Sequence, residues 1–190
     1  MSTCVVKQLQ MVKNAAARLT FNRRRMQVLL FLSVLLAAAC AAPSYFSFSP
    51  AVGSGVGTSY TITGTGRITA VRTWENYNRQ VRGIQLRYGF KWSPVGGNQG
   101  GRVNEIELFD DEFIVQISGK HVHWIYSLMI VTNRGRSLIA GQPVGLTFNM
   151  YPSHPMAELR FLSGGHQHGI ISSIASHWAV LNMPTNGTAD

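Results

Sequence analysis

Residues 157–180 read "AELRFLSGGHQHGIISSIASHWAV", two β-rich runs joined by a stretch of glycine and histidine. In the first run Leu159, Phe161 and Ser163 fall on one side of an extended chain, and Arg160 and Leu162 on the other. Runs of this length bounded by turn residues are typical of strands. The joining stretch, with its two histidines one residue apart, could be half of a metal site, part of a catalytic centre or the tip of a loop.

The same pattern extends back along the chain to residue 59. Eight further short β-rich runs are separated by turn residues, with a spacing of about ten residues. They read "SYTITG", "ITAVRTW", "GIQLRYGF", "NEIELF", "FIVQISG", "YSLMIVTN", "SLIAG" and "GLTFNMY". No helical period is sustained over three turns after residue 59. The sequence therefore predicts an all-β sandwich, barrel or prism.

Residues 1–41 predict a secretory signal peptide with a basic n-region. An apolar run of about fifteen residues follows "NRRR" and ends in small side chains, with an A-x-A-like site at its close. A spanning helix needs about twenty apolar residues, so a signal anchor is the weaker alternative. Initiation at Met11 or Met26 is an open alternative to Met1, and no transmembrane segment is expected after residue 41.

The charge of the chain lies mostly in that leader. The formal net charge is +9, from 17 lysines and arginines against 8 acids. Six of the 17 basic residues and none of the acids precede residue 42, which leaves eleven against eight, or +3. Such a small surplus argues against nucleic-acid binding. Both cysteines, Cys4 and Cys40, also fall in the leader, so residues 42–190 must be held together by their own core.

The chain lacks the patterns that enzymes need. Three acids, Asp110, Asp111 and Glu112, stand together in "FDDEF", which is typical of a solvated turn. No G-x-S-x-G elbow accompanies the serines, and neither "GTGRIT" nor "VGGNQGG" is followed by the G-K-[ST] of a phosphate loop. We therefore expect no catalysis, no cofactor and no nucleic-acid partner.

Seven segments follow one another along the chain: "ITAVRTW", "VRGIQLRYGFKWS", "VGGNQGG", "EFIVQISGK", "LMIVTNRGRSL", "LTFNMYP" and "AELRFLSG…IASHW". In this order they resemble the jacalin-related lectins, and among these the vertebrate zymogen granule branch. The resemblance runs from about residue 53 to residue 180. It implies a β-prism I fold, with three four-stranded antiparallel sheets around a pseudo-threefold axis and sugar-binding loops at one end.

The resemblance also implies a binding site built from loops. The family's glycine-rich loop corresponds to "GSGVG", residues 53–57, with Gly55 and Gly57 near the ligand. Its G-x-x-x-D loop corresponds to "HGIIS", so His168 stands at the first glycine and Ser172 at the aspartate. Loss of that carboxylate implies a specificity shifted away from mannose. In this second loop the amides of Gly169 and Ile170 remain as candidate donors, and a one-residue shift of the alignment would put Ser173 at the aspartate position.

A third, variable loop corresponds to "SGKHVHWIY", residues 118–126, with Lys120 and His121 as candidate contacts. If the fold is a prism, the H-x-H pairs of this loop and of 166–168 lie at the same end. Four imidazoles could bind Zn²⁺ or Cu²⁺, or simply be solvated loop side chains, and we expect no metal. Lys120 together with Arg134 and Arg136 could meet an acidic glycan or a phospholipid headgroup, although "TNRGRS" is also typical of a tight polar turn.

The sequence thus predicts four segments: the signal peptide 1–41, an irregular segment 42–52, a jacalin-type domain 53–180 and a polar tail 181–190. The tail contains a sequon at Asn186. The expected function is that of a secreted lectin, extracellular or in secretory granules, with glycans or glycoproteins as partners. The alternative is a non-catalytic structural or protein-interaction module whose sugar site has decayed.

Overall fold

The computed structural model describes residues 45–77 and 79–181, which form fourteen strands and no helix. The predicted signal peptide, and the tail from residue 182 with Asn186, lie outside the described residues. None of the described residues belongs to a helix with the length and apolar character needed to cross a bilayer. The strands are β1 (Tyr45–Phe48), β2 (Val52–Gly53), β3 (Thr58–Ile62), β4 (Ile68–Glu75), β5 (Val81–Tyr88), β6 (Lys91–Trp92), β7 (Gly96–Gly97), β8 (Arg102–Glu107), β9 (Ile114–His121), β10 (Ile125–Thr132), β11 (Ser137–Gly141), β12 (Leu146–Met150), β13 (Glu158–Gln167) and β14 (Ile170–Val180).

The strands form three antiparallel sheets. Sheet I has the order β1-β14-β13-β3, sheet II the order β11-β10-β9-β12, and sheet III the order β6-β5-β4-β8. The two remaining strands continue an edge: β2 pairs with β14 beyond β1, and β7 pairs with β5 beyond β6. Each sheet is therefore four strands wide, and the all-β, three-sheet prediction is confirmed.

All three sheets share one topology. In sheets II and III, three strands connected in succession lie side by side and the fourth returns beside the first, which is a Greek key. Sheet I has the same spatial order, but β13 and β14 come from the end of the chain and β1, β2 and β3 from its beginning. The N- and C-terminal parts of the domain thus complete one sheet together.

All ten predicted runs form strands, whereas the four short edge strands were not predicted. The segment 42–52, predicted to be irregular, contains β1 and the start of β2. Pro50 separates β1 from β2, and Pro94 separates β6 from β7. Because proline has no N–H to donate, it interrupts a ladder and is tolerated at a sheet edge. Pairing with a long neighbouring strand, not local propensity, makes these segments extended.

The core lies between the inner faces of the sheets, and a bulge in β13 changes the side-chain pattern predicted there. Leu159 pairs with Trp178 and Phe161 with His177, so Arg160 is an extra residue in the ladder. Leu159 and Trp178 are buried, whereas Phe161 lies on the outer face with its ring stacked on His177 at 4.0 Å. The prediction that Leu159 and Phe161 share a face is therefore wrong, because the bulge reverses the alternation.

The "FDDEF" turn is only partly the solvated turn that was predicted. Asp110 and Asp111 are exposed, but the side chain of Glu112 is fully buried. It accepts hydrogen bonds from Thr132 Oγ1 at 2.6 Å, from the Phe109 amide at 3.1 Å and from Arg136 Nη1 at 2.6 Å. Burial opposes ionisation, but these bonds and the guanidinium charge outweigh it and hold the pKa of Glu112 below its ordinary value.

Glu112 should therefore contribute to the acid sensitivity of the fold. Its lowered pKa adds stability that is fully present above pH 4.5, its ordinary value, and is lost as the pH falls through the lower folded value. We expect Glu112→Gln to lower the free energy of unfolding at pH 7 by roughly 1.5–3 kcal/mol, the range for hydrogen bonds to charged groups. In urea unfolding from pH 7 to 3, the variant should lose less stability than the wild type. Asp110→Asn, in the same turn but exposed, is the control, and parallel pH profiles for wild type and Glu112→Gln would contradict this role.

Candidate functional site

Each sheet carries a glycine loop at the same end of the domain. The loops are 53–57, 97–101 and 141–145, so successive loops lie 44 residues apart. Each begins and ends with glycine, and all six of these glycines have φ between 76° and 102°. A side chain rarely adopts such a backbone, which explains the repeated Gly-x-x-x-Gly pattern.

Each glycine loop is fastened to a β-bulge in its own sheet. The bulge residues are Ser172 in sheet I, Arg82 in sheet III and Tyr126 in sheet II, each skipped by the ladder beside it. A Cβ on the first glycine of each loop would overlap the carbonyl oxygen of that bulge residue. The next residue of the loop donates its N–H to the same oxygen: Ser54 to Ser172 at 2.9 Å, Asn98 to Arg82 at 3.0 Å and Gln142 to Tyr126 at 2.8 Å.

Each loop also meets a hairpin of a neighbouring sheet. The Ser54 hydroxyl donates to the His123 carbonyl at 2.7 Å, and the Gln142 amide donates to the Arg79 carbonyl at 3.1 Å. A Cβ on Gly169 would lie 3.1 Å from Arg82 Nη2 and 3.4 Å from Asn98 Cβ.

Three loop clusters result, which we number by sheet. Cluster 1 comprises 53–57, Ser172 and His123; cluster 2 comprises 141–145, Tyr126 and Arg79; cluster 3 comprises 97–101, Arg82 and Gly169.

Cluster 1 contains the predicted glycine loop. Gly55 is exposed, and the nearest atom to a Cβ placed on it is Ser173 Oγ at 4.0 Å. Gly57, by contrast, packs so closely on β13 that a Cβ would overlap the carbonyl oxygen of His166. The loop is therefore closely packed at Gly57 and open to solvent at Gly55. This arrangement allows backbone N–H groups of the loop to face a ligand.

Ser172 holds this loop in place by two hydrogen bonds. The residue is fully buried, and its hydroxyl donates to the carbonyl of Val56 at 2.6 Å while its own carbonyl accepts from Ser54. Ser172 was predicted to stand in the ligand site in place of an aspartate. The structure places it beneath the loop 53–57, bonded to the residues on both sides of Gly55. An aspartate could not make this hydroxyl bond, because an ionised carboxylate only accepts.

The predicted loop "HGIIS" is not one continuous loop. His168 and Gly169, with φ of 51° and 72°, form the two-residue turn of a hairpin, and Gln167 pairs with Ile170 across it. His168 is exposed at the tip, whereas Gly169 lies over Arg82 in cluster 3. Ile170 is half-buried at the start of β14. The hairpin is thus shared: Ser172 belongs to cluster 1 and Gly169 to cluster 3.

The third predicted loop lies between clusters 1 and 2. Lys120 Nζ is 3.5 Å from the carbonyl of Gly145, and the ring of His121 lies 6.0 Å from that of Phe148. His123 reaches cluster 1 only through its carbonyl, and its ring packs edge-on against Trp124. Lys120 and His121 therefore contact the 141–145 loop and the strand β12 that follows it.

Two alternative sites are not assembled. No group of three or more histidine, cysteine, aspartate or glutamate residues in 45–77 or 79–181 is close enough to hold a metal ion. Lys120 lies near the β9–β10 connection, whereas Arg134 and Arg136 lie beyond the other end of β10, paired with Asp111 and Glu112. These three cations therefore do not form one headgroup site.

Sequence reasoning missed clusters 2 and 3, although a signal for them was present. The three loops share their first glycine at positions 53, 97 and 141 and their last at 57, 101 and 145. A serine precedes each first glycine by four residues. Self-comparison at a shift of 44 residues would have shown the threefold repeat.

Comparison with known proteins agrees with this architecture. The family model described as jacalin-like lectin domain matches residues 49–176. Zymogen granule membrane protein 16 of Homo sapiens is 37% identical over 156 residues, which cover 77% of this chain and 92% of that protein. Prostatic spermine-binding protein of Rattus norvegicus is 32% identical over 126 residues, covering 65% of this chain and 43% of that protein.

Solved structures show the same fold. A prostate-specific WGA16 glycoprotein lectin superposes with a TM-score of 0.63 at 26% identity, covering 72% of this chain and 100% of that one. The artocarpin–mannotriose complex superposes with a TM-score of 0.59 at 18% identity, covering 72% and 99%, and at this identity supports the fold alone. Together with the three sheets and their glycine loops, these matches show that the chain belongs to the jacalin-like lectin family and has its β-prism fold.

Proposed function

We propose that the protein is a secreted, non-catalytic lectin that binds glycans at cluster 1. The observation that carries the proposal is the 53–57 loop, closely packed at Gly57 and open at Gly55. Backbone N–H groups on such a loop are rigid donors, so they bind hydroxyl oxygens of a sugar at little cost in conformational entropy. Family membership supports the same conclusion, because the jacalin-like domain is a lectin domain.

Its specificity is proposed to differ from simple mannose recognition. The hydroxyl of Ser172 donates its hydrogen bond to the carbonyl of Val56 inside the protein. The sequence has no acid between Glu158 and Asp190. Cluster 1 therefore lacks the carboxylate that accepts hydrogen bonds from sugar hydroxyls in the family. Donors dominate the site, so a ligand rich in acceptor oxygens suits it best.

Secretion and granule association are proposed on the leader and on the relatives. Residues 1–41 have the pattern of a signal peptide. Several relatives are named zymogen granule membrane protein 16, which places those proteins at granule membranes. Phospholipid headgroups are proposed as second partners. Lys120 is the candidate contact for them, because Arg134 and Arg136 are held in ion pairs elsewhere.

A second candidate function is a structural or protein-interaction module without sugar binding. The observation that favours it is the complete burial of Ser172, at the position where the family places its ligand-contacting aspartate. A glycan array separates the two candidates, since only the lectin retains specific glycans that depend on the loop 53–57.

We expect Gly57→Ala to abolish glycan binding on such an array. A Cβ there would overlap the His166 carbonyl, and φ of 98° strains any side chain, so the loop must move. Gly135→Ala is the matched control, because Gly135 also has positive φ but has open space around it and lies at the opposite end of the domain. An array that is silent for the well-folded wild type would favour the structural module.

Replacing Ser172 with aspartate should raise the affinity for mannose, because the longer carboxylate cannot bond the Val56 carbonyl and must turn toward the open side of the loop at Gly55. The carboxylate would accept charge-assisted bonds from sugar hydroxyls, and one such bond raises affinity by about tenfold or more. Calorimetric titration with methyl α-mannoside measures the change. Ser172→Asn, which has a similar shape without the charge, and Ser172→Ala, which only removes the bond to Val56, are the controls. No gain specific to aspartate would contradict the proposed position of the ligand.

A further inference from the structure

We propose that the outer face of sheet II binds an amphipathic anion, with an alkyl chain in a groove across β9–β12 and an anionic head beside Lys120. The head is a carboxylate or a phosphate monoester, as in a fatty acid or a lipid phosphate. This inference rests on the proposed contact of Lys120 with phospholipid headgroups, to which it adds a binding site for the chain. It is independent of glycan binding at cluster 1.

The groove lies on the side of sheet II that faces away from the core. Alternate residues of β10 and β11 belong to the core cluster, so Met129 and Ile139 between them point outward. Together with Pro143 they give the groove apolar walls, and Ile139 is 60% exposed. Ser118 and Ser127 are buried and form the floor. The volume is about 360 Å³, within the range of small-molecule sites.

Comparison with sheet III explains why this groove is open. A row of four paired residues runs across each sheet from the first glycine of its loop. The rows are Gly97–Gly83–Trp74–Val103 in sheet III and Gly141–Ser127–Lys120–Thr147 in sheet II. Trp74 is buried but stands outside the core cluster, so its indole covers Gly83 on the outer face. Lys120 stands at the same place in sheet II, where its narrow aliphatic stem leaves the space above Ser127 open.

The groove carries a positive charge that the protein does not neutralise. Among the described residues that line it, Lys120 alone is charged. In residues 45–77 and 79–181 no carboxylate oxygen lies within 4.0 Å of its Nζ, which contacts the Gly145 carbonyl at 3.5 Å. An ammonium has three hydrogens, so two remain for a ligand. A carboxylate or phosphate oxygen would supply the missing negative charge.

A second donor stands beside Lys120. Ser127 pairs directly with Lys120 across the ladder, and its Oγ accepts the Lys120 amide at 3.1 Å. The hydroxyl's own hydrogen has no acceptor in the described part of the chain, although Ser127 is only 7% exposed. A buried donor without an acceptor costs free energy, and an anionic oxygen in the groove would recover that cost.

The donors and the apolar walls lie in adjacent rows of the sheet, and this order determines the class of ligand. Lys120 and Ser127 stand in one row, and Met129 and Ile139 pair in the next, about 7 Å along β10. A ligand that fills the groove must therefore carry its negative charge at one end and an apolar chain beyond it. A neutral sugar would place hydroxyls against isoleucine and methionine, so this surface favours a different ligand from cluster 1.

Four probes test the inference: octanoate, octyl phosphate, octanol and inorganic phosphate. In the full chain, labelled with ¹³C at the methyl groups of methionine and isoleucine, the Met129 and Ile139 resonances should shift with the two octyl anions and not with inorganic phosphate. Octanol lacks the charge, so it should bind about tenfold more weakly than octanoate.

Three variants separate the head from the chain. Lys120→Gln should weaken the two octyl anions about tenfold and leave octanol unchanged. Lys91→Gln removes the same charge from an exposed position outside the groove, and it should change affinity less than twofold. Ile139→Ala shortens an exposed apolar wall, and it should weaken all three octyl probes about fivefold.

The outcomes separate this inference from the proposed function. A response to only one octyl anion identifies its head group, carboxylate or phosphate, and supports the site. Inorganic phosphate that binds as tightly as octyl phosphate would overturn the groove and leave only the headgroup contact of Lys120. Unshifted Met129 and Ile139 resonances, or equal losses in Lys120→Gln and Lys91→Gln, would overturn the inference even if Gly57→Ala abolishes glycan binding. Shifts observed for a protein that is silent on the glycan array would support the site and contradict the lectin function.

Discussion

The carbonyl oxygen of a β-bulge residue, packed against a glycine with positive φ, is the contact on which the three glycine loops of this domain depend. It recurs at Ser172, Arg82 and Tyr126, each time with a hydrogen bond from the residue after the glycine. The approach is so close that no side chain fits, and the bond fixes the loop to a long strand of its own sheet. A loop fixed in this way has little conformational entropy left to lose.

Most of the fold could be predicted because its ten long strands have local signals. Alternation, β-branched residues and bounding glycines mark them without knowledge of the neighbours. The four short edge strands have no such signal, since β2, β6 and β7 have two residues each and Pro50 and Pro94 interrupt them. Their extended form comes from the ladder of β14 or β5, a tertiary effect that no local window contains. The bulge at Arg160 is likewise set by pairing, which is why the face of Phe161 was predicted wrongly.

The candidate site could be predicted only in outline. The resemblance predicted the 53–57 loop and an exchange of aspartate for Ser172 as features of the site, but not the direction of the serine hydroxyl. That direction depends on the carbonyl of Val56, 116 residues away in sequence. Residues 168–172 looked like one loop because the sequence does not show that a two-residue turn ends at Gly169. The hairpin then sends its two ends to different clusters, which only the packing of sheet I against sheet III determines.

The three equivalent bulge positions separate what family membership implies from what it leaves open. The backbone around them is nearly the same, so the fold supplies three similar platforms, while their side chains are a hydroxyl, a guanidinium and a phenol. The hydroxyl bonds to a carbonyl inside the protein, whereas the guanidinium donates to two neutral amides that do not balance its charge. The side-chain chemistry at these positions therefore differs between the clusters of one domain, although the backbone is repeated. No acid stands at any of the three positions, so none of them offers a carboxylate to accept a charge-assisted hydrogen bond.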